Sequence, residues 1–356
     1  MRAGVVVSTG EFAIEDVSMK EPGPHDVVVR MEASGVCHSD ISVLNGLAGM
    51  GPPLVLGHEG AGTVDWVGRD VNRVRVGDRV IASLGAVCGT CWYCRREQTQ
   101  LCEEGAAVAG DHWAVRADGS HLPTLAGLGT FAEAMTVHEW SIVPVETDLP
   151  FEQLALIGCG VTTGLGAVLN TARPNVGDTV GVIGLGGVGM AAIQGARIAG
   201  ASRVIAIDPI EAKRTAALRL GATDVIDPAD GDVAKQVRGL TGRRGVDVAI
   251  EAVGASALIE QASKMTRRGG ITVLVGAAPF DATVTYKPGS FLMEDRDVRA
   301  SYYGRTQALR DFPRYLSLIE AGRLDISSMV SERISLDELP AVLLKAPGDA
   351  IRHVVV

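Results

Sequence analysis

The nine residues Gly181–Gly189 read GVIGLGGVG, and they carry the strongest indication of the fold. An apolar run, TVGVI, leads into them, and a helical pattern, GVGMAAIQGARIAGA, follows. Gly184, Gly186 and Gly189 form G-x-G-x-x-G, which allows a tight turn, close approach of a pyrophosphate and close packing of a helix on a strand. The pattern predicts a dinucleotide-binding loop. The alternative is a glycine-rich turn that only packs a helix against a strand.

An acidic residue stands where such a loop needs one. Asp208 ends the next apolar run, nineteen residues after Gly189, and a carboxylate there accepts hydrogen bonds from ribose hydroxyls and repels a 2′-phosphate. This favours NAD(H) as the cofactor. Lys213 and Arg214 follow one helical turn later and keep NADP open. The candidate cofactor-binding residues of this region are Gly184, Gly186, Gly187, Gly189, Asp208 and Lys213.

The pattern around this loop predicts two domains of an α/β protein. From Gly177, apolar strands alternate with helical segments, which is typical of a doubly wound parallel sheet covered on both faces. The first 150 residues instead alternate short β-branched runs with turn signals, as in a barrel of antiparallel strands. After about residue 300, the helical stretch 309–324 and the final strand 351–356 resemble neither pattern of the sheet. We expect a parallel-sheet domain at 157–301 and a first domain at 1–156 that also takes in 302–356.

Four of the six cysteines lie within fifteen residues, in CGTCWYCRREQTQLC. Their C-x2-C-x2-C-x7-C spacing suits a tetrahedral zinc shell with no open position, and hence a structural zinc in a lobe at 88–102. An iron–sulfur cluster or a redox-active C-x-x-C pair are the alternatives. The predicted ligands are Cys88, Cys91, Cys94 and Cys102.

Three further candidate ligands come from distant segments: Cys37, His58 and Cys159. Two cysteines and one histidine are a known catalytic zinc set, with three protein ligands and one open position. Each residue alone also has an ordinary explanation, because buried cysteines usually act as small apolar residues and most histidines are structural.

Five motifs occur together in an order and spacing that resemble the zinc-dependent medium-chain alcohol dehydrogenases. They are GVCHSD, GHEGAGTV, the four-cysteine lobe, GCGVTTG and GLGGVG, and the resemblance runs from about Ala3 to Arg352. It is greatest to the longer class I/III-like branch, which has an extended loop after the lobe, here about Glu103–Gly129. The resemblance implies a GroES-like β-barrel catalytic domain, a Rossmann domain and an active site between them.

The resemblance also implies roles for individual residues. Cys37, His58 and Cys159 match the catalytic zinc ligands, and Glu59 matches an acid that transiently reaches the metal. Asp40 matches the carboxylate that orients the histidine ligand, and Ser39 the hydroxyl that takes the alcohol proton. The positions expected near the cofactor are His38 and Arg352, at the phosphates, and Thr163, by the nicotinamide.

The chain departs from the family pattern at two places. Many relatives carry a histidine at the position of Ser42, and that histidine passes the proton to solvent. Serine does not titrate near neutral pH, so we expect a more base-sensitive reaction. Glutathione-dependent relatives carry acidic residues before GHE and an arginine after the lobe. This chain has NGLAGMGPPLVL and Glu103–Glu104 there, which disfavours a charged thiol adduct.

The predicted reaction is therefore reversible hydride transfer between a small uncharged primary alcohol and NAD⁺, with two zinc ions per chain. The apolar stretch Leu44–Leu56 favours a medium-chain or aromatic substrate. A secondary-alcohol or polyol dehydrogenase of the same superfamily is the first alternative. A non-catalytic NAD-binding zinc redox sensor is the second.

Composition excludes other classes of partner. The formal charge of −9 argues against nucleic acid, since no basic stripe is present to meet phosphates. Early acidic residues argue against a secretory signal, and the run Thr179–Ile193, which we take as the longest uncharged apolar one, is broken by five glycines. We expect a cytoplasmic protein with no membrane span. By analogy it forms a homodimer or homotetramer, with the segment GGITVLVGA–FDATVTY at the edge of the sheet.

Overall fold

Short antiparallel strands build the N-terminal part of the chain. The computed structural model describes residues 1–47, 49–110, 112–345 and 348–356. The largest antiparallel sheet runs β11-β7-β6-β4, with β10 also paired to β4, and two three-stranded sheets have the orders β2-β1-β5 and β3-β8-β9. The elements are β1 Arg2–Ser8, β2 Glu11–Asp16, β3 Ser18–Met19, β4 Asp26–Gly35, α1 His38–Leu44, β5 Leu54–Val55, β6 Glu59–Val67, β7 Arg79–Ala82, α2 Glu103–Ala109, β8 Ala114–Val115, β9 His121–Leu122, β10 Ala134–His138 and β11 Ile142–Pro144.

A continuous helix, Phe151–Ala172, connects this part to the next. It changes form along its length, and its segments are α3 Phe151–Leu156, a π-helical turn Ile157–Val161, α4 Thr162–Gly166 and a second π-helical turn Ala167–Ala172. Its side chains contribute to a core cluster that holds residues of both parts, such as Ala61 and Val180. The domain boundary expected at 156/157 falls inside this helix.

The second part is a six-stranded sheet in which every neighbouring pair of strands is parallel. Its order is β14-β13-β12-β15-β16-β17, which is the 3-2-1-4-5-6 order of a Rossmann domain and confirms the prediction. The central strand β12 is buried along most of its length because helices cover both faces. The elements are β12 Thr179–Ile183, α5 Gly187–Ile198, β13 Arg203–Ile207, α6 Glu211–Arg219, β14 Asp224–Ile226, α7 Val233–Leu240, β15 Val246–Glu251, α8 Ser256–Met265, β16 Thr266–Leu274, α9 Pro288–Glu294 and β17 Asp297–Ala300.

The end of the chain returns to the first part. After α10 Ala308–Glu320 come β18 Val330–Ile334, α11 Leu339–Leu343 and β19 Arg352–Val355. Strand β19 pairs antiparallel with the end of β4 and parallel with β18. This pairing brings Arg352 beside Cys37 and Glu59, which follow β4 and begin β6.

Single turns of 3₁₀ helix join several of these elements. They are Cys94–Arg96, Thr99–Leu101, Leu125–Gly127, Glu139–Ser141, Pro228–Asp230, Tyr302–Arg305, Ser327–Met329 and Leu336–Glu338.

Two sequence expectations need correction. The stretch expected at the sheet edge is not there, because β16 lies between β15 and β17, and residues 280–286 form no strand. The edge strand is β17. The run Thr179–Ile193 is also not the longest uncharged one, since residues 153–172 carry no charged side chain.

One helix among the described residues has the length and apolar composition to cross a bilayer, and it is Phe151–Ala172. Within the protein, 94% of its most apolar window is buried. A central helix of a folded core meets the same criteria. Ala48, in the expected stretch Leu44–Leu56, and Asp111, in the expected loop Glu103–Gly129, lie outside the described residues.

Candidate active site and metal centres

Four buried side chains from three distant segments converge at one point. The ligand atoms of Cys37, His58, Glu59 and Cys159 all lie within 4.8 Å of one another. Cys37 is the residue before α1, His58 and Glu59 lie at the start of β6, and Cys159 is in the first π-helical turn. The structure therefore brings together the three ligands and the acid expected from the sequence.

Asp40 ties two of these segments together. Its Oδ2 accepts a hydrogen bond from the backbone N–H of Cys37 at 2.9 Å, and its Oδ1 accepts one from Gly57 at 3.0 Å. The same Oδ1 lies 3.3 Å from Nδ1 of His58. Occupation of Nδ1 by a carboxylate leaves Nε2 of His58 as the nitrogen available to a metal.

The electrostatics of the cluster favour a bound cation. The Cys37 thiolate raises the pKa of Cys159, with burial adding to the shift, while the bond with Cys159 lowers the pKa of Cys37. Two neighbouring buried thiols cannot both ionise without a compensating positive charge. A divalent metal supplies that charge, so the donor set fits a zinc ion.

Glu59 links the cluster to the C-terminal strand. Its Oε1 accepts hydrogen bonds from Nη2 of Arg352 at 3.1 Å and from the N–H of Gly160 at 3.1 Å. Its Oε2 is buried with no hydrogen-bond partner. Burial raises the pKa of Glu59 to about 7, although Arg352 opposes the shift. An unpartnered carboxylate oxygen inside the cluster is consistent with occasional metal ligation.

Glycines on both sides of Cys159 allow it to reach the cluster. A Cβ on Gly158 would lie 2.8 Å from the carbonyl oxygen of Ala82, and one on Gly160 would lie 2.8 Å from Nη2 of Arg352. The π-helical turn also passes close to β6 and β7. Only a chain without side chains at these two positions fits between β7 and Arg352.

The cysteine lobe forms a second, separate cluster. The Sγ atoms of Cys88 and Cys94 are 3.9 Å apart and those of Cys91 and Cys102 are 4.0 Å apart. A disulfide would place them at about 2 Å, whereas tetrahedral zinc with Zn–S bonds of about 2.3 Å places them about 3.8 Å apart. All six cysteines are free. The lobe therefore has the geometry of a four-thiolate metal site.

Backbone N–H groups point at the sulfurs of this lobe. Sγ of Cys88 accepts from Thr90 and Cys91 at 3.4 and 3.3 Å, and Sγ of Cys102 accepts from Gly105 at 3.2 Å. Burial raises the pKa of Cys88, but these N–H groups outweigh it and lower that pKa to about 6. Thiolates stabilised in this way suit a metal without an open position.

The predicted dinucleotide loop lies between β12 and α5. Gly184 has φ +89°, and a Cβ on Gly189 would lie 1.8 Å from the carbonyl oxygen of Gly184, so both glycines are required by the backbone. A Cβ on Gly186 would meet nothing within 4 Å. That open space in front of the helix N-terminus is a cradle that fits a pyrophosphate.

Asp208 supports the same loop. Its Oδ2 accepts a hydrogen bond from the N–H of Leu185 at 2.8 Å, and its Oδ1 accepts one from Ile210 at 2.9 Å. The guanidinium of Arg214 donates to the backbone oxygen of Asp208 and pairs with the carboxylate of Asp227 at 2.8 Å. Lys213 lies buried on α6.

The remaining predicted residues lie around α1 and α4. The hydroxyl of Ser39 is 3.8 Å from Sγ of Cys37, whereas His38 is exposed. Ser42 is half-buried on α1, and Thr163 is buried on α4. Arg352 lies against the dinucleotide loop, because a Cβ on Gly187 would be 2.7 Å from its guanidinium.

The sequence interpretation missed Glu251 and Tyr303. Glu251 ends β15, and its buried Oε1 accepts hydrogen bonds from the N–H groups of Val253 and Gly254, both at 2.9 Å. Burial raises the pKa of Glu251 against these bonds. An acidic residue at the carboxyl end of a buried parallel strand was the available signal.

Comparison with known proteins decides the family. The family described as "Alcohol dehydrogenase GroES-like domain" matches residues 23–147, and the family described as "Zinc-binding dehydrogenase" matches residues 187–321. The chain belongs to the zinc-dependent medium-chain alcohol dehydrogenases. This alcohol dehydrogenase is an oxidoreductase, so the alternative of a non-catalytic redox sensor is set aside. The predicted GroES-like domain is confirmed as well.

Two curated relatives match almost the whole alcohol dehydrogenase chain. The NDMA-dependent alcohol dehydrogenase of Amycolatopsis methanolica is 35% identical, over 95% of this chain and 93% of its own. The S-(hydroxymethyl)glutathione dehydrogenase of Synechocystis is 36% identical, over 99% of both chains.

Solved structures of the family superpose closely. Benzyl alcohol dehydrogenase from Acinetobacter calcoaceticus gives a TM-score of 0.92 at 26% identity, over 99% of this chain and 98% of its own. A zinc-binding dehydrogenase from Sinorhizobium meliloti, solved with NADP bound, gives 0.83 at 30% identity, over 100% and 98%.

Proposed function

We propose that this dehydrogenase interconverts a small uncharged primary alcohol and its aldehyde, with NAD as the hydride acceptor. One observation carries the proposal: the guanidinium of Arg352 bonds to Glu59 of the metal cluster and also lies against Gly187 of the dinucleotide loop. A metal held by the cluster and a dinucleotide held by the loop would therefore be neighbours. That is the arrangement a metal-assisted hydride transfer requires.

Each residue of the metal cluster has its own role in the proposed reaction. A zinc ion supplies Lewis-acid polarisation of the alcohol oxygen, and a nicotinamide supplies the hydride acceptor. The thiolates of Cys37 and Cys159 and the neutral imidazole of His58 would hold that zinc ion. Ser39, whose hydroxyl is 3.8 Å from Sγ of Cys37, takes the alcohol proton. Asp40 keeps His58 oriented, and Glu59 can approach the metal through its free Oε2.

The cofactor side of the proposal rests on four groups. The open space at Gly186 and the N-terminus of α5 would receive the pyrophosphate, with Arg352 and His38 as its partners. Thr163 on α4 would lie by the nicotinamide. Asp208 keeps lone pairs beyond its two backbone bonds, and these accept the ribose hydroxyls.

We favour NAD over NADP because Arg214, one of the two cations near Asp208, is already engaged. Arg214 bonds to Asp227, so it is not free to balance a 2′-phosphate. Lys213 is buried on α6. The structural neighbour from Sinorhizobium meliloti was solved with NADP bound. NADP is therefore the competing cofactor, and the assay compares it directly with NAD.

The second zinc belongs to the cysteine lobe, with Cys88, Cys91, Cys94 and Cys102 as its ligands. Four protein sulfurs leave no position for a substrate, so this ion is structural. The lobe is anchored elsewhere in the chain, since the hydroxyl of Thr99 donates to the carbonyl oxygen of Thr306 at 3.0 Å. Loss of this ion would therefore disturb the segment around Thr306.

The structural similarity to benzyl alcohol dehydrogenase favours an aromatic or medium-chain alcohol as the substrate. Leu44, Leu54 and Leu56 are fully or almost fully buried in one apolar core cluster, so they stabilise the fold and do not bear on this choice. Secondary-alcohol or polyol oxidation is the alternative. The S-(hydroxymethyl)glutathione dehydrogenase relative makes that thiol adduct a required control.

We also propose a homodimer or homotetramer located in the cytoplasm. Strand β17 is the edge of the Rossmann sheet, and Asp297, Arg299 and Ala300 on it are exposed. Leu292 and Met293, on the adjacent α9, are 78% and 81% exposed. An unpaired strand edge beside exposed apolar side chains favours pairing with a second copy.

The test is zinc content per chain followed by a panel of primary, secondary and polyol substrates with NAD and with NADP. NDMA is included as a second acceptor because one relative is NDMA-dependent. We expect two zinc ions per chain and NAD reduction by primary alcohols. A single zinc ion, or activity confined to polyols, would contradict the proposal.

A further inference from the structure

The segment Tyr302–Arg305 has an unusual backbone. Tyr303, Gly304 and Arg305 are consecutive residues with positive φ, at 51°, 64° and 49°. A residue with a side chain rarely adopts such a conformation, and the surrounding structure must enforce it. The positive φ of two such residues, one on each side of a glycine, therefore needs a structural explanation.

Close packing on the connecting helix enforces this backbone. A Cβ on Gly304 would lie 2.5 Å from the carbonyl oxygen of Thr162, and a Cβ on Gly166 would lie 2.2 Å from the carbonyl oxygen of Gly304. The two backbones touch at these glycines. The contact directs the side chain of Tyr303 into the protein, where it is 5% exposed.

The hydroxyl of Tyr303 joins two parts of the active site. It donates a hydrogen bond to the carbonyl oxygen of Gly158 at 2.6 Å and accepts one from the N–H of Leu84 at 3.3 Å. Gly158 immediately precedes Cys159, and Leu84 follows β7. Burial raises the pKa of Tyr303, so the phenol stays protonated and able to donate.

The bond to Gly158 falls in the first π-helical turn, Ile157–Val161. π-Helical turns are rare and need support because their carbonyls leave the regular α-helical pattern. Here two side chains supply it: Thr162 bonds to the carbonyl oxygen of Ile157, and Tyr303 bonds to that of Gly158. Both bonds act on the two peptide units that lead into Cys159.

We propose that Tyr303 is a positioning residue for the metal site: its hydroxyl fixes the π-helical turn and so sets the direction of the Cys159 sulfur. This inference rests on the proposed function, because it assigns Cys159 as a metal ligand. This role explains the positive φ values, because the backbone conformation they describe brings the phenol to Gly158. Among the described residues, the hydroxyl of Tyr303 bonds to the backbone at Gly158 and Leu84 and to no ligand atom of the cluster, so its effect passes through Cys159.

The test compares Tyr303→Phe with the parent, both carrying Co²⁺ in place of Zn²⁺ at the Cys37–His58–Cys159 site only, with Zn²⁺ retained in the cysteine lobe. Cobalt–thiolate absorption reports the geometry at Cys159, and release of the metal to a chelator reports its affinity. We expect an altered absorption band and metal release about 2- to 12-fold faster, which corresponds to the loss of one hydrogen bond. We expect kcat to fall by a similar factor while the Kd for the cofactor is unchanged.

Tyr286→Phe is the matched control, because the hydroxyl of Tyr286 is buried and has no hydrogen-bond partner among the residues that the structure describes. It should leave the cobalt spectrum and kcat as in the parent. Thr162→Val removes the other side-chain bond of the turn and should act in the same direction as Tyr303→Phe. If Tyr303→Phe does not fold, the result for Thr162→Val tests the positioning role instead.

The outcomes separate the two proposals. If Cys159→Ser leaves the parent's cobalt spectrum unchanged, Cys159 is not a ligand and the proposed function fails. If the signal depends on Cys159, but Tyr303→Phe and Thr162→Val match the parent in spectrum, metal release and kcat, only the positioning role fails. A changed cofactor Kd with an unchanged spectrum overturns it as well.

Discussion

Adjacent residues of this alcohol dehydrogenase lie in different environments. Cys37 is buried in the metal cluster, whereas His38 is exposed at the start of α1. Asp40, one helical turn on, returns to bond the N–H of Cys37 and to face His58. The family resemblance, rather than local spacing alone, implied the roles of Cys37, His38 and Asp40, and the bond from Cys37 to Asp40 falls within one turn of helix. Tyr303 could not be predicted, since its partner Gly158 is 145 residues away.

Asp40→Asn should weaken the metal site. The amide keeps one oxygen but loses the negative charge facing Nδ1 of His58, and changes of this kind typically cost about 10- to 100-fold in metal affinity or activity. The measurement is zinc retained during dialysis against a graded chelator, together with kcat. Asp118→Asn, in an exposed turn, is the control. Equal zinc retention by both variants would show that Asp40 does not orient the ligand.

Ser42→His should change the pH dependence of the reaction. An imidazole with a pKa of about 6.5 can pass a proton to solvent near neutral pH, and serine cannot. We therefore expect the variant to gain activity at low pH and to depend less on the concentration of buffer base. Ser42→Ala should behave like the parent. A pH–rate profile that is identical in all three proteins would refute the missing-relay interpretation.

Elements with a strong sequence period were predicted well, and their irregularities were not. The alternation of apolar strands with helices predicted the parallel sheet, and the cysteine spacing predicted the lobe. The first π-helical turn leaves no comparable pattern, since it depends on side chains from Thr162 and Tyr303. The edge of the sheet was misplaced because β16 and β17 are separated by α9 and by a segment without strands.

Gly186→Ala should separate cofactor binding from stability. The new methyl group meets no atom of the protein within 4 Å, so the thermal midpoint should hardly change. It enters the space proposed for the pyrophosphate, where crowding of about 1–3 kcal/mol weakens cofactor binding by about 5- to 150-fold. Gly239→Ala, equally open but on α7, should leave cofactor affinity unchanged. A Kd unaffected by Gly186→Ala would place the dinucleotide elsewhere.

Asp247 should make the Rossmann sheet sensitive to acid. Burial raises its pKa, but hydrogen bonds from Thr179 and the charge of Arg267 outweigh burial and lower it. A carboxyl whose pKa is lower in the folded state stabilises the fold above its unfolded pKa of about 4, and this contribution is lost as pH falls through the folded pKa.

Urea unfolding of Asp247→Asn tests this. At pH 7 the variant should lose about 1–3 kcal/mol, the usual range for a hydrogen-bonded charge, and the difference from the parent should shrink as the pH falls below about 4. The exposed Asp349→Asn should show little difference at either pH. A destabilisation by Asp247→Asn that is the same at pH 7 and at pH 3 would contradict the assignment.

Three connections between the two domains lie beside the metal cluster, in addition to the core cluster that holds residues of both. The helix Phe151–Ala172 carries Cys159 between them, Tyr303 bonds to Leu84 and Gly158, and the returning strand β19 places Arg352 between Glu59 and Gly187. The returning strand was suspected from the sequence, but its pairing with β4 requires the folded sheet.

The most direct measurement is alcohol-dependent formation of NADH by the parent, by Cys159→Ser and by Cys91→Ser, each with its zinc content known. We expect the parent to hold two zinc ions and to form NADH. Cys159→Ser should keep the zinc of the lobe and lose activity. Cys91→Ser should instead lower the stability of the fold, while the protein that remains folded still forms NADH. Undiminished NADH formation by Cys159→Ser would contradict the assignment of this cluster as the catalytic metal site.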